Sequence, residues 1–418
     1  MPFQAPRGTH DILPVHSAAW QHLEEVFRDL TRLYGYGEIR TPMFEDAELF
    51  IRSAGETSDV VNKEMYRFKD KGDRDLCLKP EGTAPAIRAF VEHSLAESGL
   101  PVRLWYLTHV FRYDRPQKGR YRQSHQLGLE LLGSPSPYAD AEVIEITMEF
   151  YSRIGVSNRE LRLNSIGRDA TREAYRSALL LHFQSYLIDK DTEQRARAEK
   201  NPLRLLDSKD PSAISLAHSA PSILDHLEED SKTHFEELQA ILNDRSIKFI
   251  LDPRVVRGLD YYTDTVFEVT STSLGAQSSL CGGGRYDTMV KQLGGSDCPA
   301  VGVGIGVERA LIALEAEAGL PERPGIQVFV VNATPAARQI AVQLASELRK
   351  AGYAAQFDFE NRNLKGQFKQ ADRIGAKFAV VIGDDEMAQS SFTVKDLKSA
   401  TQESVSQDQL TDYLRQRC

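Results

Sequence analysis

Apolar positions recur at helical spacing near the start of the chain. Trp20, Leu23, Val26, Phe27, Leu30 and Leu33 fall on one stripe, which predicts an amphipathic helix over 16–33 that stops at Gly35. A strand containing Pro42 is expected next, and a residue without an amide hydrogen suits an edge or a subunit boundary better than a central position. Val, Leu, Trp and Tyr crowd 102–113 and 126–132 is again largely apolar, while Pro116 and Gly119 punctuate the polar stretch between them. That order predicts an antiparallel hairpin with a basic tip. From 168 to 242 the pattern turns charged and helical (EQRARAEK, HLEEDSKTHFEELQAIL), broken by Pro202, Pro211 and Pro221, as expected of an inserted helical subdomain. Thr, Val, Phe and Tyr bring back strand character at 248–252 and 261–270. The run LPERPG reads as a linker, and the alternating strand and helix patterns beyond it predict a compact α/β module.

Length and composition refine this outline. At 418 residues the chain is too long for one ordinary core, so two or three domains are expected. With 41% hydrophobic and 27% charged residues, it reads as a soluble globular protein without a membrane-spanning run or an apolar leader, placed in the cytoplasm. Cys77, Cys281, Cys298 and Cys418 lack CxxC spacing, which argues against a disulfide framework or a thiolate metal site. The net charge of −9 leaves RNA binding open, because charges farther apart than a Debye length are screened and local clusters of cations count for more than the total.

Three segments carry candidate chemistry. The hairpin tip within 111–130, FRYDRPQKGRYRQSHQLGLE, concentrates Arg112, Arg115, Lys118, Arg120 and Arg122. Guanidinium forks at this density repel one another unless an anion such as a polyphosphate lies between them. In 257–265, RGLDYYTDT, a cation, a carboxylate and adjacent tyrosines could line a small polar pocket, although Tyr261 and Tyr262 read equally well as strand packing. The glycines of CGGGRY at 281–286 suit close backbone approach to a ligand, or a turn. In AVGVGIGVERAL, 300–311, Gly302, Gly304 and Gly306 alternate, so they share one face of a strand and leave it bare for a flat ligand, with Glu308 and Arg309 entering the helix that follows. The spacing is not that of a dinucleotide fingerprint.

Taken in order, these blocks resemble the three signature motifs of class II aminoacyl-tRNA synthetases, and the chain is similar to the histidyl-tRNA synthetase family over nearly its whole length. The resemblance rests on RGTHDILP at 7–14, YGEIRTPMFE at 36–45, PEGTA at 80–84, the FRYDRPQKGRYRQSHQ loop, RGLDYYTDTVFE, CGGGRYD and GVERAL. It implies an α/β (α+β) architecture with an antiparallel six-stranded catalytic sheet in two parts, 1–167 and 246–320, a helical insertion at 168–245 and an anticodon-binding domain at 326–418. It also implies a homodimer joined near Pro42, and a two-step reaction in which histidine and ATP, with Mg²⁺, give histidyl-adenylate before transfer to tRNA(His).

By the same resemblance, Arg112, Arg257 and Arg309 are the catalytic cations. Arg112, Arg120, Tyr121 and Arg309 hold ATP, with Arg120 bending back its outer phosphates. Histidine is read by Glu81, Gly82, Thr83, Gln126, Glu130, Tyr261 and Tyr262, with Arg112 and Arg257 at its carboxylate; a neutral imidazole needs one donor and one acceptor. Arg115, Gln117 and Arg122 face the 5′ end of tRNA. Arg362, Lys365, Lys369 and Arg373 fall at helical spacing as a phosphate stripe in the last module. Two departures stand out: Ser124 occupies a position where the family commonly has Phe, with Tyr121 close by, and Lys79 replaces an Arg before PEGTA. The rival reading is a histidine-binding regulatory paralogue of ATP phosphoribosyltransferase, which would lack the arginines and the last module.

Overall fold

The computed structural model describes residues 3–417 apart from 56–57, 201, 207, 209, 257, 276–277 and 323–324. Arg257, one of the three expected catalytic cations, therefore lies outside the described residues. The chain divides into two compact units, Met1–Pro321 and Glu322–Cys418.

The first unit is built on an eight-stranded sheet. Its order is Gly37–Glu38, Val102–Phe111, Gln123–Leu132, Ala300–Gly306, Ser279–Arg285, Thr263–Thr270, Glu160–Ser165 and Phe249–Leu251. The inner six strands are antiparallel, and the short strand at each edge runs parallel to its neighbour. The basic segment joins Val102–Phe111 to Gln123–Leu132, so it is the tip of a hairpin, closed by the Gln117 to Arg120 bridge.

Alternation along Gln123–Leu132 sorts the two faces of the sheet. Leu127, Leu129 and Leu131 enter the core under helices Pro14–Leu33 and Pro137–Arg153. There Phe27 packs edge-on against Trp105 and Phe150, with ring centroids 5.9 and 5.4 Å away. Ser124, Gln126, Gly128 and Glu130 belong to the opposite face. A strand buried on both sides yet polar on one of them marks a site, because burying polar groups is unfavourable unless they are paired.

Helices Asp169–His182, Gln184–Ile188, Thr192–Lys200, Pro211–His218 and Glu229–Asp244 fill the interval between the strands Glu160–Ser165 and Phe249–Leu251. Tyr175, Leu179, Phe183, Leu187, Ala213 and Ile223 form a small core of their own there. Pro211 stands at the first position of its helix, where its missing N–H costs nothing, and the Asp210 carboxylate accepts from Ser212 N at 3.0 Å.

Three local expectations are corrected. Pro42 lies in no strand: the chain is irregular between Gly37–Glu38 and Phe44–Asp46, as proline's missing donor favours. Tyr261 and Tyr262 precede the strand Thr263–Thr270 rather than beginning it. The glycines at 282–284 are not a turn but the middle of the strand Ser279–Arg285.

The second unit has a five-stranded sheet ordered Ala355–Phe357, Val328–Asn332, Phe378–Ile382, Ser391–Asp396 and Gln402–Ser406. Its first three strands are parallel, linked through helices Arg338–Lys350 and Leu364–Arg373, and the last two are antiparallel additions. Lys365, Lys369 and Arg373 are exposed along Leu364–Arg373. Arg362 is not on that helix. It precedes the Asn363 cap, and its guanidinium pairs with Asp358 Oδ1 at 2.5 Å and Glu360 Oε2 at 2.6 Å. The expected four-residue stripe is thus a helical triplet plus a neutralised arginine.

Candidate active site

A cavity of 410 Å³ opens on the polar face of the inner sheet, with Glu81, Gln126 and Tyr261 toward one part of its wall and Arg112, Arg120 and Arg309 toward another. A larger cavity, 1160 Å³, lies against helix Asp169–His182; it is touched by Leu259, Asp260 and Tyr262 of the 257–265 segment, and by no described residue of the hairpin tip or the glycine strand. The smaller one carries the chemistry.

Next to Tyr286 and Gly302, which line one part of the cavity, Glu130 is fully buried and both its oxygens are engaged. The Tyr106 hydroxyl donates to Oε1 at 2.9 Å, and the Tyr286 hydroxyl donates to Oε2. Burial pushes the Glu130 carboxyl up to about 8, against the hydrogen bonds that favour its charged form. Tyr261 stacks at 4.6 Å on Tyr262 and meets the ring of Tyr286 at 5.6 Å. Glu81 caps the helix Thr83–Glu92, accepting from Thr83 N at 2.7 Å and Ala84 N at 2.8 Å. Burial raises its pKa as well. Gln126 Oε1 accepts from Gly82 N at 3.0 Å, which ties the PEGTA loop to the sheet.

The alternating glycines serve this end differently from expectation. A Cβ on Gly302 would sit 2.0 Å from Glu130 Oε2, and one on Gly304 would sit 2.0 Å from Gln126 Nε2. The register pairs Gly302 with Glu130 and Gly306 with Gln126. The face is therefore not bare: side chains of the adjacent strand lie across it, and the glycines make room for them.

At the other end, Arg112 Nε donates to the Pro80 carbonyl at 2.8 Å, and Arg120 pairs with Asp114 at 3.2 Å. Arg309 donates through Nε to Gly119 O at 3.1 Å and through Nη1 to Ser279 O at 2.7 Å, so it pins the tip of the hairpin. Burial, then the nearby Arg120 and Arg112, lower its pKa, with Glu268 opposing them. Tyr121 lies against His10 at 4.7 Å and Ser124 lines the cavity. Lys79 turns away, donating to Thr41 Oγ1 at 3.0 Å, with its pKa lowered by burial to about 8.

The loop residues expected to face RNA separate. Arg115 and Gln117 are exposed. Arg122 is drawn inward over the Tyr113 ring at 3.9 Å, with its amide donating to Gly8 O at 2.8 Å. Missing from the sequence-level site are Tyr106, Tyr286 and the pairing of His125 with Glu308, whose Nδ1 to Oε1 distance is 2.8 Å. That pair joins the hairpin to the helix bearing Arg309. Alternation in Val102–Phe111 puts Tyr106 on the polar face, and Tyr286 ends the CGGGRY block, so both were within reach of the pattern.

An antiparallel six-stranded core, an arginine-bearing hairpin and a glycine-lined strand running into an arginine-bearing helix define a class II aminoacyl-tRNA synthetase. Residues 8–310 match the family model described as histidyl-tRNA synthetase, and 327–417 match one described as an anticodon binding domain. The chain belongs to the histidyl-tRNA synthetase family. It is 45% identical to a histidine–tRNA ligase of a Geobacillus species over 100% of both chains. It is 48% identical to that of Moorella thermoacetica over 98% of this chain and 97% of the other. The crystal structure of the apo histidyl-tRNA synthetase of S. aureus matches at 38% identity and a TM-score of 0.83, over 99% of each chain. The match through 327–417 weighs against the regulatory paralogue.

Proposed function

We propose that the chain is a histidine–tRNA ligase that works in two steps at the cavity described above. A carboxylate oxygen of L-histidine attacks the α-phosphorus of ATP, forming histidyl-adenylate and expelling pyrophosphate. A ribose hydroxyl at the 3′ end of tRNA(His) then attacks the carbonyl carbon, forming the ester and releasing AMP. The observation that carries this reading is a cavity lined by three arginines in one part and, in another, by Tyr286 and Gly302, directly behind which the Glu130 carboxyl is held by two phenols.

The residues divide the work by charge. Glu130, Tyr261 and Tyr262 face the imidazole; Glu81, Gly82, Thr83 and Gln126 take the ammonium. Arg112 neutralises the α-phosphate and aligns the histidine carboxylate, and the family resemblance assigns Arg257 to the same phosphate. Arg309 covers the adenine, helped by Tyr121, and together with Arg120 folds the outer phosphates back. Such a step is chiefly positioning and charge stabilisation. Mg²⁺ accompanies ATP and neutralises its phosphates. The carboxylates of Glu268 and Asp114 line the cavity and offer the oxygen donors Mg²⁺ prefers.

For tRNA, Arg115, Gln117 and Arg122 meet the acceptor end, and Lys365, Lys369 and Arg373, flanked by Arg362, meet the anticodon arm. Assignment of 1–167 and 246–320 to catalysis, 168–245 to an insertion and 326–418 to anticodon binding accompanies this reading, as do a homodimer and a cytoplasmic location. No helix among the described residues is long and apolar enough to cross a membrane. ATP–pyrophosphate exchange with each of the twenty amino acids tests the reading. Exchange with histidine alone is expected, and histidine binding without exchange would return the weight to the regulatory paralogue.

A further inference from the structure

We propose that Arg172, on helix Asp169–His182 of the insertion, is a positioning residue for amino-acid recognition, holding the Tyr261–Tyr262 segment in place from outside the catalytic sheet. The inference rests on the reading that these two tyrosines face the imidazole.

The Arg172 side chain spans from the insertion to the pocket. Its Nη1 donates to the Tyr262 carbonyl at 3.1 Å, and its Nη2 pairs with Asp169 on its own helix. On this side Tyr262 borders open space, although Tyr261 and Tyr262 are otherwise packed in a buried cluster. The 1160 Å³ cavity lies there, with Leu259, Asp260 and Tyr262 on one flank and Arg172, Tyr175 and Arg176 on the other. Where apolar side chains do not fill the space behind a backbone, its position is set by directional bonds, and a charged donor makes the stronger kind.

The residues that follow Tyr262 are fastened differently. Asp264 is buried with a positive φ of 44°, and its carboxylate accepts from Ser231 Oγ at 2.5 Å and from Arg168 Nε at 3.1 Å. Its amide donates to Gly167 O at 3.0 Å, and its carbonyl accepts from Ile166 N at 2.8 Å. The chain is thus anchored just beyond the tyrosines, while the amide of Asp260 before them donates to Ala54 O at 3.3 Å. Arg172 supplies a tie between these anchors, at the peptide whose rotation would swing the Tyr262 ring away from Tyr261 and Tyr286. A residue more than eighty positions away in sequence, in the helical insertion, thereby helps set the geometry of the histidine pocket.

Steady-state ATP–pyrophosphate exchange by the full chain tests this. Arg172→Ala is expected to raise KM for histidine by about fivefold or more, as loss of a charged donor bond partly transmitted to the ring implies, with KM for ATP within about twofold of the parent. Arg172→Lys, which restores a cationic donor on a long stem, is expected to recover much of that loss. A histidine KM unchanged in Arg172→Ala would overturn the proposal. So would histidine and ATP KM rising together without recovery in Arg172→Lys, which is the signature of general loosening; thermal melts of both variants report it independently. Tyr261→Phe and Tyr262→Phe, measured alongside, separate the layers: if neither changes histidine KM, the pocket assignment itself fails, whereas a change in them without one in Arg172→Ala sinks only the role of Arg172.

Discussion

Tyr106 reaches across from the neighbouring strand to donate its hydroxyl to Glu130 at 2.9 Å. Its ring is clamped in place by two missing side chains: a Cβ on Gly82 would lie 2.3 Å from the ring and one on Gly128 would lie 2.1 Å from it. The Glu130 carboxyl is therefore oriented by a tyrosine with no room to turn.

Removing that donor isolates its contribution. Tyr106→Phe keeps the ring and the packing, so the melting temperature should change little. Histidine KM in pyrophosphate exchange should rise about tenfold, the equivalent of roughly 1.4 kcal/mol, with ATP KM unaffected. An unchanged histidine KM would remove Tyr106 from the pocket's working parts.

Protonation of Glu130 leaves a mark on stability. Its pKa is raised from 4.5 to about 8 by burial, so between those values the folded state holds a proton that the unfolded chain releases. Folding is thus favoured by this group in full below pH 4.5, and the contribution declines as pH rises through the window to about 8. Urea unfolding of the ligand-free protein across that window should show the decline, and Glu130→Gln should flatten it. Identical slopes in parent and variant would contradict the assignment.

The glycine strand predicts a graded pair of variants. In Gly304→Ala the new methyl meets the end of a flexible side chain, Gln126, which can swing aside. The protein should fold, lose the Gln126 bond to Gly82 and show a histidine KM raised about tenfold. In Gly302→Ala the methyl also lies 2.5 Å from the Leu129 carbonyl, a backbone atom that cannot move alone. That variant should lose thermal stability clearly, and equal melting temperatures for the two would refute the distinction.

Charge reversal on the last module's exposed helix should separate the two reaction steps. Lys365→Glu with Lys369→Glu is expected to leave pyrophosphate exchange intact, to raise KM for tRNA by about tenfold or more and to flatten its salt dependence. Aminoacylation at several ionic strengths measures both, and unaltered tRNA kinetics would place the RNA elsewhere.

Much of this was legible before any coordinates because period and punctuation are local properties. The stripe from Trp20 to Leu30, though not its expected end at Leu33, which is exposed, the hairpin around Pro116 and Gly119 and the α/β alternation after 325 each follow from side-chain spacing. Long-range pairing carried what was not legible. Nothing local says that the space over Gly302 is taken by Glu130 or that Arg122 folds onto Tyr113; the pairing of Arg362 with Asp358, four residues earlier, was within reach of the sequence. Tyr106 was hidden for a related reason: a tyrosine in an apolar run looks like packing until its hydroxyl finds a partner on the next strand.

The seating of Glu130 over Gly302, and of Gln126 over Gly304, also constrains how such a pocket could drift. Each of these side chains on one strand occupies the volume that a glycine of the neighbouring strand has vacated. A chain exploring another amino acid by single substitutions meets a clash if the glycine changes first, and a void with an unpaired phenol if the carboxylate does. Altered specificity would have to arrive as coupled replacements on two strands, which makes the choice of histidine hard to leave one step at a time.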